Sequence, residues 1–453
     1  MSQILSPLAH ARALLILGLP LVGGHLAQFL IGLTDTIMVG WYGVPELAAL
    51  TLAASLFMTL FLFGSGFAWA VMPLVASAAV TRDDVTIRRV TRMALWLSGL
   101  FFVCVMPLLW WSAPILRAIG QEPEVAANAQ VYLRIAGWGM APALGVMALK
   151  SYLAGLEHTR VVLWITVAAA VANGFGNYAL IFGNWGAPEL GIRGAAIASL
   201  LSHLTALAGV VLYARRKLPQ HQLFVRFWRP DTEVMARVFR LGWPIGVTTL
   251  AEVALFAASA VMMGWIGTVS LAAHGIALQL ASASFMIHLG LSNAATIRAS
   301  NAAGRGDLTQ LRRGAWVVSV LSLIVVALTT VLFLALPDQL IGLFIDPAEP
   351  RRAAILEVGR ILLALAALFQ LADAMQVIHV GVLRGLQDTR VPMVITTISY
   401  WAIGLTCSYT LAFFVGWGAT GLWLGLTFGL TCAAIGLATR FWTSAARLLP
   451  ATA

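Results

Sequence analysis

The sequence predicts an all-α, polytopic membrane protein in which twelve transmembrane helices form two six-helix lobes related by a pseudo-twofold axis. Three observations support this fold class. Charged residues make up only 10% of the 453 residues, whereas a soluble domain carries about 25%. Apolar runs long enough to cross a bilayer recur along the whole chain. Finally, the second half of the chain repeats motifs of the first half.

The apolar runs define the individual spans. The first run could pass for a signal peptide, but no convincing cleavage site follows, and the apolar pattern continues past Asp35. We therefore interpret it as the first transmembrane helix. The predicted spans lie near residues 11–39, 47–72, 90–113, 128–150, 160–182, 194–214, 236–263, 271–296, 314–336, 355–383, 390–415 and 420–440.

The basic residues indicate orientation. The net charge of +10 would suggest a nucleic-acid partner in a soluble protein, but most of the 28 Lys and Arg fall on one side of the predicted spans. By the positive-inside rule that side is cytoplasmic, so both termini are expected in the cytoplasm, as an even number of spans requires. No nucleic-acid partner is expected. The cysteines, Cys104, Cys407 and Cys432, fall within apolar spans and predict neither disulfides nor a metal site.

An internal repeat divides the chain into two halves. Residues 17–20, Leu-Gly-Leu-Pro, recur 224 positions later as Leu-Gly-Trp-Pro at 241–244, and residues 76–89 resemble residues 300–313. The repeat predicts an N-terminal lobe at 1–213, a cytoplasmic linker at 214–235 and a C-terminal lobe at 236–453. We interpret the basic linker as a solvated loop with an amphipathic stretch on the lipid surface. Paired repeats of this kind are typical of alternating-access transporters.

Three acids lie well inside predicted spans, although each costs roughly 2.5–3.5 kcal/mol at the centre of a membrane helix. They are Asp35, Glu252 and Asp373, out of 18 Asp and Glu in the chain. Asn173 and Asn177 form a further polar pair at helical spacing. Polar groups at such depth face a protein interior or a watery cavity, so they are candidate functional residues.

The repeat does not copy these acids. Asp35 aligns with Ser259 at the offset of 224, and Glu252 aligns with Gln28. Two symmetric halves would be expected to share groups that served only to hold the fold together. The asymmetry therefore indicates two specialised lobes.

At these residues the chain resembles the multidrug and toxic compound extrusion (MATE) transporters, closest to their bacterial NorM-like branch. The resemblance covers essentially the whole chain. One departure is Gly275, where the family would be expected to carry glutamine; Gln279 follows one turn later. The motifs that carry the resemblance are Asp35-Thr36-Ile37-Met38-Val39-Gly40, Leu250-Ala251-Glu252, Ala272-Ala273-His274, Gln370-Leu371-Ala372-Asp373 and Leu383-Arg384-Gly385.

The resemblance implies export of organic cations or drugs, driven by H⁺ or Na⁺, from a multi-pass protein of the bacterial inner membrane. It implies a cation-coupling site of Glu252 and Asp373 in the C-terminal lobe, where Na⁺ could bind, and a second site of Asp35, Asn173 and Asn177 in the N-terminal lobe. Pro20 matches the position at which the first helix of the family can bend.

The expected partners are the cargo and the lipid bilayer, and the protein is expected to be a monomer. No cofactor is expected; H⁺ or Na⁺ acts as the coupling ion, and no metal other than Na⁺ is expected. The sequence does not distinguish H⁺ from Na⁺. The candidate substrate-binding residues are Gln28, Phe256, Gln279, Ser282 and Gln370.

Two alternatives remain open. A flippase or exporter of a lipid-linked or other amphipathic metabolite would share the fold, but the acidic span interiors favour a cationic cargo. An intramembrane hydrolase could use two acids as a dyad. We expect no enzyme, because the chain contains neither a GxxxxGK[ST] loop nor HExxH, and the acids have a ready role as ion ligands.

Overall fold

The computed structural model describes residues 6–347 and 349–449, and these ranges contain helices but no β-strand. Twelve of the helices are long and apolar enough to cross a membrane, which confirms the predicted number of spans and the all-α fold. Their bounds are α1 (Pro7–Tyr42), α2 (Glu46–Val80), α3 (Asp84–Trp110), α4 (Pro123–Gly155), α5 (Thr159–Phe182), α6 (Ile192–Lys217), α7 (Thr232–Ile266), α8 (Thr268–Gly304), α9 (Leu308–Ala335), α10 (Arg352–Gly385), α11 (Arg390–Phe414) and α12 (Gly418–Leu448). Short helices at Ser112–Ala118 and Pro337–Gly342 follow α3 and α9.

The sequence repeat reappears in the backbone. The turn between α2 and α3 has Arg82 in the left-handed region, at φ 56°, and the turn between α8 and α9 has Gly306 there, at φ 66°. The next residue in each turn, Asp83 or Asp307, then caps the following helix by accepting a hydrogen bond from a backbone N–H, at 2.9 and 3.0 Å. The two halves therefore share local turn geometry as well as sequence motifs.

Contacts divide the chain into two compact units, Gly23–Gly246 and a second unit of Met1–Val22 with Val247–Ala453. The boundaries fall inside α1 and α7, shortly after Pro20 and its repeat counterpart Pro244. The first part of α1 thus belongs to the unit that holds the C-terminal half, and the first part of α7 to the other. The lobe boundaries drawn from the repeat remain a prediction.

The segment between α6 and α7 is docked on α3. Arg92 donates hydrogen bonds to the carbonyl oxygens of Gln222, Leu223 and Val225, at 2.9 and 2.7 Å for the first two. Arg89 forms an ion pair of 2.5 Å with Asp231. Basic side chains of α3 thus anchor the segment, while most of its residues, among them Gln222, Val225 and Trp228, remain exposed, and its position on a lipid surface remains a prediction.

Glycines permit the closest helix contacts within each unit. In α12, a Cβ at Gly425 would collide with the backbone of Ser408 in α11, and one at Gly429 would collide with the backbone of Gly404. The facing part of α11 is π-helical over Ile398–Leu405 and Thr410–Phe414. A π-helical turn shifts the direction of the side chains that follow it, and such turns are frequent at functional sites.

Candidate ion-coupling sites

The first candidate site lies in the Gly23–Gly246 unit and centres on Asp35 of α1. Asn177 of α5 donates a hydrogen bond from Nδ2 to Asp35 Oδ1 at 2.5 Å. The same Nδ2 lies 3.3 Å from Oδ1 of Asn173, one turn earlier on α5. Ser199 of α6 donates to the other carboxylate oxygen of Asp35 at 3.4 Å. Three helices thus converge on one carboxylate. The structure brings Asp35, Asn173 and Asn177 together, as the sequence analysis predicted.

This site retains unused hydrogen-bonding capacity. Asn173 and Asn177 are both fully buried. Within the described residues, Nδ2 of Asn173 and Oδ1 of Asn177 have no hydrogen-bond partner. Such atoms are costly to bury, so they indicate a place where a water, an ion or a rearranged side chain completes the network. The Tyr132 phenol of α4 lies beside Ser199, within electrostatic range of Asp35.

The second candidate site lies in the other unit and contains Glu252 of α7 and Asp373 of α10. Asp373 is buried, with 5% of its surface exposed, and Glu252 is half-buried. The two carboxylates are close enough for their charges to interact directly. Two neighbouring carboxylates in a poorly solvated site cannot both remain charged without a compensating cation. The predicted pairing of Glu252 with Asp373 therefore has a structural basis.

Two residues that sequence reasoning did not assign to this site contribute to it. Arg384 of α10 is buried, and its positive charge acts on Glu252. Tyr400, in the first π-helical segment of α11, is fully buried within electrostatic range of both acids. Each position offers some signal in hindsight, because Arg384 belongs to a resemblance motif and Tyr400 is a polar aromatic inside a span.

Three buried oxygen atoms near this acid pair have no hydrogen-bond partner among the described residues: Asp373 Oδ1, Gln376 Oε1 and Tyr400 Oη. Asp373 and Gln376 lie on one face of α10, three positions apart. Oxygen atoms of carboxylate, amide and hydroxyl groups suit a hard cation, and a carboxylate can equally take up a proton. Within the described ranges, no cluster of three or more His, Cys, Asp or Glu resembles a conventional metal site.

The repeat counterpart of Asp35 is part of a neutral network. Ser259 is buried 3.4 Å from Nε2 of His274, and the indole of Trp423 donates to Nδ1 of His274 at 3.0 Å. Because Nδ1 accepts from the indole, Nε2 carries the proton and donates to Ser259. The specialisation of the two halves that the sequence predicted is thus visible in their hydrogen bonds.

The candidate substrate residues have different environments. Gln28 is exposed, whereas Gln279 and Ser282 of α8 are half-buried. Phe256 packs edge-on against Phe369, with ring centroids 6.0 Å apart. The Gln370 amide is buried and already engaged, since its Oε1 accepts from Ser284 and Thr329 at 2.9 and 3.0 Å. Their roles in substrate binding remain predictions, as does bending at Pro20, through which α1 runs as a continuous helix.

Twelve membrane-crossing helices, a repeated half and a buried acid site in each half define a polytopic membrane transporter. The chain belongs to the MatE family, whose model matches residues 20–179 and 244–410. It is 46% identical to the probable multidrug resistance protein NorM of Rhizobium meliloti (strain 1021), over 98% of this chain and 96% of that protein. It is 42% identical to the protein of the same name from Agrobacterium fabrum, over 96% and 94% of the two chains.

Solved structures share the fold. A crystal structure of MATE in the straight conformation superposes with a TM-score of 0.87 at 20% identity, covering 97% of each chain. The eukaryotic MATE transporter AtDTX14 superposes with a TM-score of 0.85 at 20% identity, covering 97% of this chain and 98% of that one. The solved structures confirm the fold, and the family model and the NorM relatives confirm the predicted family resemblance.

Proposed function

We propose that this protein is a secondary active antiporter that exports organic cations or drugs in exchange for H⁺ or Na⁺ by alternating access. The observation that carries the proposal is the acid pair of buried Asp373 and half-buried Glu252, beside oxygen atoms that have no hydrogen-bond partner among the described residues. The relatives named as multidrug resistance proteins support the cargo class, because they match nearly the whole chain.

Charge balance explains how this pair would couple two fluxes. With both carboxylates ionised and Arg384 charged, the group carries one net negative charge. One proton or one Na⁺ neutralises that charge, and the electrostatic attraction for a cationic cargo in the same lobe falls with it. Since such interactions are several-fold stronger in a poorly solvated site than in water, driving ion and cargo exclude each other.

The Asp35 site would serve as a second switch in the other lobe. Its carboxylate holds hydrogen bonds from α5 and α6, so a change in its charge alters the contacts between three helices. A neutral Asp35 side chain accepts these hydrogen bonds more weakly. The part of α1 that follows Pro20 would then be held less firmly by α5 and α6, and α1 could bend at Pro20, since helices bend most readily at proline. We further propose a monomer in the bacterial inner membrane with both termini in the cytoplasm.

Efflux from proteoliposomes tests this function. Purified protein is reconstituted with a fluorescent organic cation at the same concentration inside and outside, and a pH gradient or a sodium gradient is imposed in turn. We expect one of the two gradients to drive loss of the dye against its own concentration gradient, with no loss from protein-free liposomes. Efflux that neither gradient accelerates would rule out exchange with these ions.

A further inference from the structure

An open cavity of about 480 Å³ lies between the beginning of α3 and the segment that leads into α7. Ligand pockets in proteins typically have about 300–1,000 Å³, so this cavity can hold a polar group of moderate size. All of it belongs to the Gly23–Gly246 unit, on the side that the positive-inside rule assigns to the cytoplasm. Four arginines against two acids give its lining an excess of positive charge. These residues are Arg88, Arg89, Arg92, Arg229, Asp231 and Glu233.

The two acids of the cavity are occupied or directed to water. Asp231 has both oxygens engaged, since Oδ2 pairs with Arg89 at 2.5 Å and Oδ1 accepts from the backbone N–H of Val234 at 3.2 Å. Glu233 lies 3.9 Å from Arg89, but its side chain is 92% exposed. An ion pair in water contributes little. The acids therefore compensate Arg89 and leave the other arginines uncompensated.

Arg88 and Arg229 supply the remaining charge. Among the residues that the structure describes, no acid forms an ion pair with either side chain. Arg88 donates one long hydrogen bond, of 3.4 Å, to the neutral side chain of Gln222, and Arg229 is exposed. A guanidinium group presents five N–H donors in a fixed plane that matches the oxygens of a phosphate. The cavity thus offers two arginines with donors to spare for a phosphate group.

Arg92 has a different part in the cavity. Its guanidinium donates to three backbone carbonyls of the docked segment, as described above, and so holds that segment against α3. Arg92 lies one helical turn beyond Arg88, on the same face of α3. Together with the pair of Arg89 and Asp231, it fixes the wall of the cavity from which Arg229 projects.

The aromatic residues beside the cavity are suited to a membrane surface. Trp96 of α3 donates from its indole to the carbonyl of Phe227 at 2.9 Å and stacks on the Phe227 ring, with centroids 6.1 Å apart. The next residue, Trp228, is instead 71% exposed, and Val225 is exposed as well. Tryptophan is enriched where a membrane meets water. The occupant that fits this position is a lipid headgroup, because a soluble anion gains nothing from exposed apolar side chains next to the charge.

The sequence repeat does not duplicate this cavity. At the offset of 224, Arg88 corresponds to Arg312, but Arg92 corresponds to Trp316. The segment that forms the second wall joins the two halves and occurs once in the chain. The other half therefore offers a matched arginine without the cavity.

We propose that this cavity binds the phosphate of an anionic phospholipid. Arg88 and Arg229 contact the phosphate, Arg89 and Arg92 keep the second wall in place, and Trp228 lies in the headgroup layer beside the lipid. Basic pockets on the cytoplasmic side of membrane proteins bind anionic headgroups in this way. A zwitterionic lipid also carries an ammonium group, which the positive lining repels. The proposed lipid contact lies outside both acid sites and does not depend on the identity of the cargo.

Native mass spectrometry of the purified full-length protein in detergent micelles tests this proposal. The dissociation constant of the first bound lipid is measured with phosphatidylglycerol and, separately, with phosphatidylcholine. We expect wild type to bind phosphatidylglycerol at least about tenfold more tightly, because each arginine near an anionic headgroup contributes about fivefold in affinity. Arg88→Gln/Arg229→Gln should lose this preference. Arg88→Lys/Arg229→Lys should keep most of it, since lysine retains the charge.

The control is Arg215→Gln/Arg312→Gln, which removes two exposed arginines from the same predicted side of the membrane but none from the cavity. Gel filtration of each variant verifies that it is folded. An equal loss of preference in the control would show general surface charge and overturn the site. Wild type without a preference, or an unchanged preference in Arg88→Gln/Arg229→Gln, would overturn it as well. Inorganic phosphate at the concentration of the lipid should not displace phosphatidylglycerol; displacement would assign the cavity to a soluble anion and overturn the lipid assignment.

Discussion

Asp373→Asn is expected to reduce gradient-driven export to the level of protein-free liposomes, while the protein remains folded. Asparagine keeps the volume of aspartate and removes its charge. With Asn at position 373, the charges of Glu252 and Arg384 compensate each other, so the net negative charge that a proton or Na⁺ would neutralise is absent. The coupling free energy between two linked binding sites is typically about 1–3 kcal/mol. We expect this variant to lose the coupling between the driving ion and the cargo.

Glu252→Gln should also abolish export, but with an additional loss of thermal stability. The charge of Arg384 acts on Glu252, and Arg384 is buried. Removing the charge of Glu252 leaves the buried guanidinium of Arg384 poorly compensated. Asp338→Asn is the matched control, since Asp338 forms an exposed pair with Arg360 at 2.6 Å, and exposed pairs contribute little. Export by Asp373→Asn at the wild-type rate would contradict the assignment of Asp373 to the coupling site.

Asp35→Asn is the second variant with a large expected effect. The amide presents one oxygen where the carboxylate presents two, so Asn177 and Ser199 cannot both keep their present acceptors. The charge change that would reorganise α1, α5 and α6 is lost as well. We expect gradient-driven export to fall at least about tenfold, a loss in the usual range for coupling between sites.

Ser199→Ala separates the charge of Asp35 from its hydrogen bonds. It removes the weaker contact, at 3.4 Å, and leaves the carboxylate and the 2.5 Å contact with Asn177 in place. Export should therefore fall much less than in Asp35→Asn. Both variants are measured in the same gradient-driven efflux assay, with reconstituted amounts matched. Equal export by Asp35→Asn and wild type would show that this lobe does not take part in coupling.

The fold was predictable from the sequence because lipid imposes a strong constraint. Every span must be apolar and helical, so the twelve helices can be counted from the apolar runs along the sequence. The docking of residues 219–231 on α3 was not predictable, because arginines near the membrane surface normally indicate only orientation. The placement of the first parts of α1 and α7 in the opposite units depends on packing between distant segments, which no local pattern records.

The candidate sites were predictable in part. Asp35, Glu252 and Asp373 stand out because a carboxylate inside a span is rare, and Asn177 lies one helical turn from Asn173. Ser199 does not stand out, since serine is common in spans, and its proximity to Asp35 joins residues 164 positions apart in the chain. Tyr400 lies in a π-helical segment of α11. Such a segment changes the direction of side chains, and no residue pattern in the sequence indicates where it occurs.

Competition at equilibrium tests most directly whether the driving ion and the cargo exclude each other. A fluorescent organic cation is bound to purified wild type and then titrated with acid and, separately, with sodium. Coupling between binding sites is reciprocal, so the ion that drives export must also displace the dye. We expect one of the two titrations to release the dye, and Asp373→Asn to bind it more weakly and to lose that release. A dye that neither ion displaces, bound with equal affinity by wild type, Glu252→Gln and Asp373→Asn, would contradict cation exchange at the buried acids.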